Sequence, residues 1–245
     1  MSDTVRLNRF ISMAGAASRR KGEVFISESR VTVNGEVVTD PAFPVNPGKD
    51  VVTFDGVALV VEKERRYFVL NKPTGVIVSR GDTHDRTTVY DLLDDSMKDV
   101  VPVGRLDADT SGVLLLTDDG DLTHRLSHPS FGVKKLYRAR IRGEVTAGEI
   151  KTLKKGVMLD DGLSAPATMT TVKGGRTSSV VDIAMHQGRK RQVRRMLLAI
   201  GHQCLALERL SFGGITAEGL DRGLFRQLED KEVKTLHDMV GLNSE

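Results

Sequence analysis

Val103-Gly104-Arg105-Leu106-Asp107-Ala108-Asp109-Thr110-Ser111-Gly112, followed at once by Val113-Leu114-Leu115-Leu116, is the stretch from which the rest of the chain is read. The four apolar residues, bounded by turn-formers, suit a strand buried on both faces. Ahead of them lies a polar loop that brings two carboxylates, an arginine and two hydroxyls to the lip of a core element. Polar side chains held on rigid scaffolding are where chemistry is usually done. The same residues also fit a capped turn, because Asp and Thr ahead of a strand often bond their own backbone.

Working outward, 245 residues allow one sizeable core and a small satellite domain. Charged residues make up 28% and no apolar run approaches the length a bilayer requires, so a soluble chain is expected. The opening Met1-Ser2-Asp3-Thr4-Val5-Arg6 leads into no apolar signal segment, and a cytoplasmic location is expected. Cys204, the single cysteine, cannot form an internal disulfide and reads as a buried structural thiol. The net charge of +3 leaves 36 bases nearly balanced by 33 acids, so distribution matters more than the total. Two basic segments stand out: Arg19-Arg20-Lys21, and Gly188-Arg189-Lys190-Arg191-Gln192-Val193-Arg194-Arg195 with five cations and no acid. Aromatics are 4% and Trp is absent, so wide stacking platforms for many bases are not expected.

Leu7, Phe10, Ile11 and Ala14 fall at helical spacing, with Gly15 as a stop. Ser18 reads as the N-cap of a second helix carrying Val24, Phe25 and Ile26. Val31 to Val38 contains Asn34-Gly35, a hairpin signal, and Val51–Phe54 and Val57–Val60 read as further short strands. Two short helices, a basic turn and an Asn-Gly hairpin resemble the alpha-L RNA-binding motif. Arg6, Arg9, Arg19, Arg20 and Lys21 then either meet RNA phosphates or form a solvated helix surface. Glu62 to Arg66 is charged and reads as a link between domains.

A strand at Tyr67–Leu70 ends in Lys72-Pro73-Thr74-Gly75, a turn, and Gly81–Thr87 is a polar loop ahead of a short helix at Val89–Leu93. Asp121–His128 reads as a helix stopped by Pro129; His124 and His128 lie four apart, but no further spacing supports a metal site. Lys134–Gly143 alternates as a strand, placing Tyr137, Ala139 and Ile141 on one side and the arginines on the other. Tyr137 therefore points inward. A strand at Ser179–Met185 delivers the chain to the second basic segment, and Arg189–Ile200 reads as a helix closed by Gly201. Strand Leu224–Leu228 and a terminal helix with Val233, Leu236 and Val240 on one face complete the chain.

Gly104-Arg105-Leu106-Asp107-x-x-Thr110-Ser111-Gly112 with Thr117-Asp118-Asp119-Gly120 resembles the signature of rRNA pseudouridine synthases of the RsuA/RluB type. Gly188 to Met196 resembles that family's third motif, departing at Gln187 where Glu is usual. The resemblance implies that Asp107 is the catalytic carboxylate, as nucleophile or as partner of a glycal intermediate. It further implies that Arg194 pairs with Asp107 and that Tyr137, in a Lys-x-Tyr element, stacks on the target base. Lys72, Arg105, Arg189, Lys190, Arg191 and Arg195 are then candidate RNA contacts. Isomerising uridine consumes no electrons or phosphate, so no cofactor is expected, and none of the usual phosphate-loop or metal motifs is present in the sequence.

The expectation is thus an α+β protein: an RNA-binding domain at 1–62, a linker at 63–66, and a catalytic domain at 67–245 on a mixed, mostly antiparallel sheet with a central cleft. Its partner would be ribosomal RNA or a pre-ribosomal particle, with no membrane association and a monomeric chain. The large-subunit rRNA is favoured by Arg191-Gln192-Val193-Arg194-Arg195-Met196. The rival readings are a synthase of small-subunit rRNA and a catalytically silent RNA-binding assembly factor.

Overall fold

The structure is a computed structural model that describes residues 4–61, 65–94, 97 and 99–242. It divides into two compact units, 1–65 and 66–245. Residues 63 and 64 of the expected linker, and residue 62 before them, lie outside the described residues. Arg66 is fastened to the second unit, its Nε 2.9 Å from Asp118.

The first unit runs β1 (Val5–Arg6), α1 (Leu7–Met13), α2 (Arg19–Ser27), β2 (Val31–Val33), β3 (Glu36–Val37), β4 (Pro44–Val45), β5 (Val52–Phe54) and β6 (Val57–Leu59). Ser18 caps α2 by accepting from the Lys21 N–H. The helices close on each other at Gly22, where a Cβ would sit 3.4 Å from Ile11. Asn34 and Gly35 both take positive φ, the requirement of the tight hairpin turn between β2 and β3, and a second such turn at Asp55-Gly56 joins β5 to β6. Leu7, Phe10, Ile11 and Ile26 are fully or nearly fully buried among the strand valines. Val24, expected on the apolar side of α2, is exposed instead; Phe25 packs on Phe54 with ring centroids 4.5 Å apart. Nine helical residues give only a narrow apolar stripe, and the i, i+4 pair Gly22–Ile26 occupies it.

The second unit runs β7 (Tyr67–Lys72), β8 (Val101–Pro102), β9 (Thr110–Thr117), α3 (Gly120–Ser127), β10 (Lys135–Arg142), α4 (Ala147–Lys155), β11 (Met158–Leu159), β12 (Gly162–Leu163), β13 (Thr168–Lys173), β14 (Ser178–Met185), α5 (Gln192–Ala199), β15 (Cys204–Phe212), β16 (Ile215–Thr216), β17 (Phe225–Gln227) and α6 (Asp230–Met239). Among the described residues one sheet has the order β13-β14-β10-β15-β9-β7-β17, with β8 and β16 beside β9 and β15. Only β15 and β9 run parallel; the rest are antiparallel. The mixed, mostly antiparallel sheet expected from the sequence is what forms.

All eight residues of β9 are buried. Leu114 and Leu116 enter one core with residues of α4 and α5, whereas Val113 and Leu115 enter another with α3 and α6. Helices thus cover both faces of the central strand, which is why its sequence is continuously apolar. Thr110 and Ser111, expected in the loop, already belong to the strand. No helix among the described residues is long and apolar enough to cross a membrane.

Candidate active site

Gly112 decides how closely the central strands approach. It has φ +103°, and a Cβ there would lie 2.2 Å from the carbonyl oxygen of Arg209. No side chain fits, so a glycine is required for β15 to lie parallel against β9. The register then lines up one row across four strands: Tyr137 opposite Arg209, Arg209 opposite Gly112, and Gly112 opposite Lys72. A tyrosine, an arginine and a lysine from distant parts of the sequence meet beside the loop that carries Asp107.

Above this row is an open cleft of about 690 Å³. That volume is in the range of small-molecule sites and accommodates one nucleotide. Asp107 and Tyr137 both line it, as do Arg105, Lys135, Lys190 and Arg209. Tyr137 lies on the buried side of β10, whose burial alternates as expected, with Arg138, Arg140 and Arg142 exposed. Asp107 is half-buried, and the Thr110 N–H donates to its carbonyl at 3.0 Å, shaping the loop that leads into β9.

Arg194 does not pair with Asp107. Its Nη2 donates to the main-chain oxygen of Asp109 at 2.8 Å and lies 3.3 Å from the Asp109 carboxylate. Arg191 reaches the same carboxylate through two bonds of 3.0 Å. Burial alone would raise the Asp109 carboxyl, but the Arg191 hydrogen bonds and the Arg194 charge outweigh it and hold it below the usual carboxylate range. The correction has a local cause. Arg191 takes a left-handed backbone at φ 50°, and the Arg189 N–H bonds the Gln192 side chain at 2.8 Å. The helix therefore starts at Gln192 rather than at Arg189, and both guanidinium groups are carried to Asp109.

Lys72 also departs from expectation. Its side chain is fully buried, so it offers no cation to RNA at the surface. Its Nζ donates to the Pro73 carbonyl at 2.7 Å. Burial pushes the ammonium down to about 8, with the charges of Asp109 and Asp107 limiting the fall. The adjoining turn serves the central loop: Gly75, at φ +87°, donates its N–H to the Ala108 carbonyl at 2.8 Å. Lys72-Pro73-Thr74-Gly75 thus supports the Asp107 loop from behind.

The remaining expected RNA contacts divide. Arg105 and Lys190 are exposed at the cleft. Arg189 is spent on the β11–β12 hairpin, bonding Asp161 and the Leu163 carbonyl. Arg195 pairs with Asp160 and Asp161, so it braces the same hairpin rather than facing open solution. The neighbouring Gln187 accepts from Ala165 N–H and from the Gln192 amide, which occupies it structurally. In the first unit Arg6, Arg19, Arg20 and Lys21 are exposed and Arg9 is half-buried. Cys204 is half-buried, and burial pushes its thiol up, as for an unreactive cysteine. Arg209 and Lys135 were not anticipated as site residues. Lys135 shares the inward parity of Tyr137, Ala139 and Ile141, but basic residues on strands normally lie outward, and nothing in the spacing around Arg209 marks it as buried.

Both units are similar to known proteins. Residues 66–199 match the RNA pseudouridylate synthase family and residues 5–51 match the S4 domain. An uncharacterized RNA pseudouridine synthase of Aquifex aeolicus is 41% identical over 97% of this chain and 96% of its own. The ribosomal large subunit pseudouridine synthase B of Bacillus subtilis is 40% identical over 96% of each chain. A crystal structure of a pseudouridylate synthase superposes with a TM-score of 0.69 at 30% identity, covering 95% of this chain and 99% of the other. The S4 match falls on the two-helix unit with the Asn34-Gly35 hairpin, and the synthase match contains both Asp107 and Tyr137. The chain belongs to the RNA pseudouridylate synthase family, with an S4 domain preceding the synthase sheet in sequence.

Proposed function

We propose that this enzyme converts a specific uridine of large-subunit ribosomal RNA to pseudouridine in the cytoplasm, acting as a monomer without a cofactor. The observation that carries the reading is that Asp107 and Tyr137, from a loop and from a strand two positions away in the sheet, line one cleft of nucleotide size. Similarity over 96% of each chain to a protein named for the large ribosomal subunit supports the choice of RNA.

In this reading the target uridine leaves its stack, at a cost of a few kcal/mol, and enters the cleft. Asp107 acts at the ribose, as nucleophile or in forming a glycal. Tyr137 stacks on the detached base, close to the proton that leaves carbon five. Arg191 and Arg194 hold the loop through Asp109, and Lys72 contributes positive potential behind the two carboxylates. Arg105 and Lys190 are the exposed cations available to phosphates at the cleft, with Arg6, Arg9, Arg19, Arg20 and Lys21 serving the S4 domain.

The test is incubation with unmodified ribosomal RNA, followed by pseudouridine counting and site mapping. Wild type should convert one site in the large-subunit RNA and Asp107→Asn none. Product on small-subunit RNA would reassign the substrate. RNA binding without product from wild type would leave the silent assembly factor as the better reading.

A further inference from the structure

Two cations at the floor of the cleft have no carboxylate partner. Lys135 is 7% exposed and Arg209 is 2% exposed, and neither makes an ion pair among the described residues. The Lys135 ammonium donates to the Val133 and His186 carbonyls at 3.3 and 3.2 Å, so two of its three donors are engaged. Arg209 donates from Nε to the Val113 carbonyl at 2.7 Å, while its buried Nη2 has no partner. Both cations approach the Phe212 ring, Lys135 at 4.8 Å and Arg209 at 4.9 Å from its centroid. Burial, together with the like charge of Arg209, pushes the Lys135 ammonium down to about 8. Unpaired buried charge is costly, so a structural explanation is weak and an absent anion is the stronger one.

We infer that Lys135 and Arg209 receive the negative charge that develops on the uracil ring when its bond to ribose breaks. This rests on the proposed function. The position suits the base rather than a phosphate. Lys135 stands two residues from Tyr137 on the same side of β10, Arg209 is directly opposite Tyr137 on β15, and all three line the cavity that holds Asp107. The exposed cations Arg105 and Lys190 are left for phosphates.

The chemistry balances without a further reactant. The C1′–N1 bond breaks and its electron pair leaves with the base, spreading over N1, O2 and O4. The ribose side is held as an ester on Asp107 or as a glycal after loss of the C2′ proton; the base carries the same charge in both. The ring turns, a C5–C1′ bond forms from the ring electrons, and the Asp107 ester bond breaks or the glycal regains its C2′ proton. C5 loses a proton and N1 gains one, so the sum is an isomerisation. Fixed cations aimed at charge that appears only during reaction lower the barrier without tightening ground-state binding.

The experiment compares single-turnover glycosidic cleavage in transcripts made with uridine or with 5-fluorouridine, whose base departs more easily as an anion. Lys135→Met, Lys135→Gln and Arg209→Met should slow the uridine reaction by about 100-fold or more, the scale for losing an oxyanion donor. RNA affinity should stay within about 2-fold, since the charge is absent before cleavage. The slowing should be at least about 10-fold smaller with 5-fluorouridine, because a better leaving group needs less help. Lys135→Arg should recover most of the rate. Equal slowing on both transcripts, or rates like wild type, would overturn the inference while leaving the enzyme reading intact. Affinity lost in step with rate would assign the pair to a phosphate and overturn it likewise. A wild type that forms no pseudouridine in any ribosomal RNA would remove both.

Discussion

Arg194 grips the central loop at Asp109, its Nη2 2.8 Å from the Asp109 carbonyl oxygen, and so sets the position of Asp107 through the backbone two residues away. Its contribution is structural as well as electrostatic, because the side chain is 12% exposed and its Nε is buried. Hydrogen bonds to charged groups contribute about 1.5–3 kcal/mol each. Arg194→Met should therefore lower the unfolding free energy by about 2 kcal/mol in urea titrations and nearly abolish turnover, with RNA affinity close to wild type. Asp109→Asn should reproduce part of both losses, and the double variant should cost less than the sum. Full additivity would show that the two residues act apart.

Gly112 is the position least able to change. A Cβ there meets Arg209 oxygen at 2.2 Å and Arg209 nitrogen at 2.8 Å, on a backbone at φ +103°. Gly112→Ala should destabilise by about 3 kcal/mol or more, from backbone strain and overpacking together. The midpoint of urea unfolding would report it. A variant as stable as wild type would mean that β15 and β9 separate at no cost.

Lys72 makes stability depend on pH in an unusual direction. Its folded-state value of about 8 lies below the ordinary lysine value of 10.5, so the unfolded chain binds more protons between those limits. The cost of burying the ammonium is present in full below about pH 8 and is relieved as pH rises towards 10.5. Relative to Lys72→Met, wild type should gain on the order of 2 kcal/mol between pH 7 and pH 10. Lys72→Met should be the more stable protein at pH 7, since replacing a buried ion with an apolar side chain often stabilises. Urea unfolding at the two pH values measures both. A constant difference between the proteins would place the Lys72 ammonium in contact with water.

The S4 domain is expected to add phosphate contacts through its exposed cations. Replacing Arg19, Arg20 and Lys21 with Ala leaves the Ser18 cap in place, since that bond uses a main-chain N–H. Each lost contact should reduce the slope of log affinity against log salt by about 0.7 on single-stranded RNA, so the triple variant should lose about 2. An unchanged slope would assign these residues to a solvated surface.

Much of the architecture was legible in local pattern. Asn34-Gly35 marks a hairpin because few residues tolerate two successive positive φ values. The alternation of β10 places Tyr137 inward, and the apolar run after Gly112 requires cover on both faces. Motif resemblance supplied Asp107, which periodicity alone would leave as a turn residue.

The wiring of the site depended on strand order. Tyr137, Arg209 and Lys72 share a row only because β15 inserts parallel to β9 between β10 and β7. Lys135 had the inward parity of Tyr137 in the sequence, but the burial of Lys72 and Arg209 was invisible until the sheet closed over them. The turn into α5 likewise decided that Arg191 and Arg194 meet Asp109 rather than Asp107. Sequence by itself marked most of the strands and helices and put Asp107 forward as the candidate carboxylate, because those readings follow from short-range periodicity and motif. Tertiary structure alone decided which charges face one another, because partners 80 or more residues apart meet only once the sheet and the turn into α5 bring their segments together.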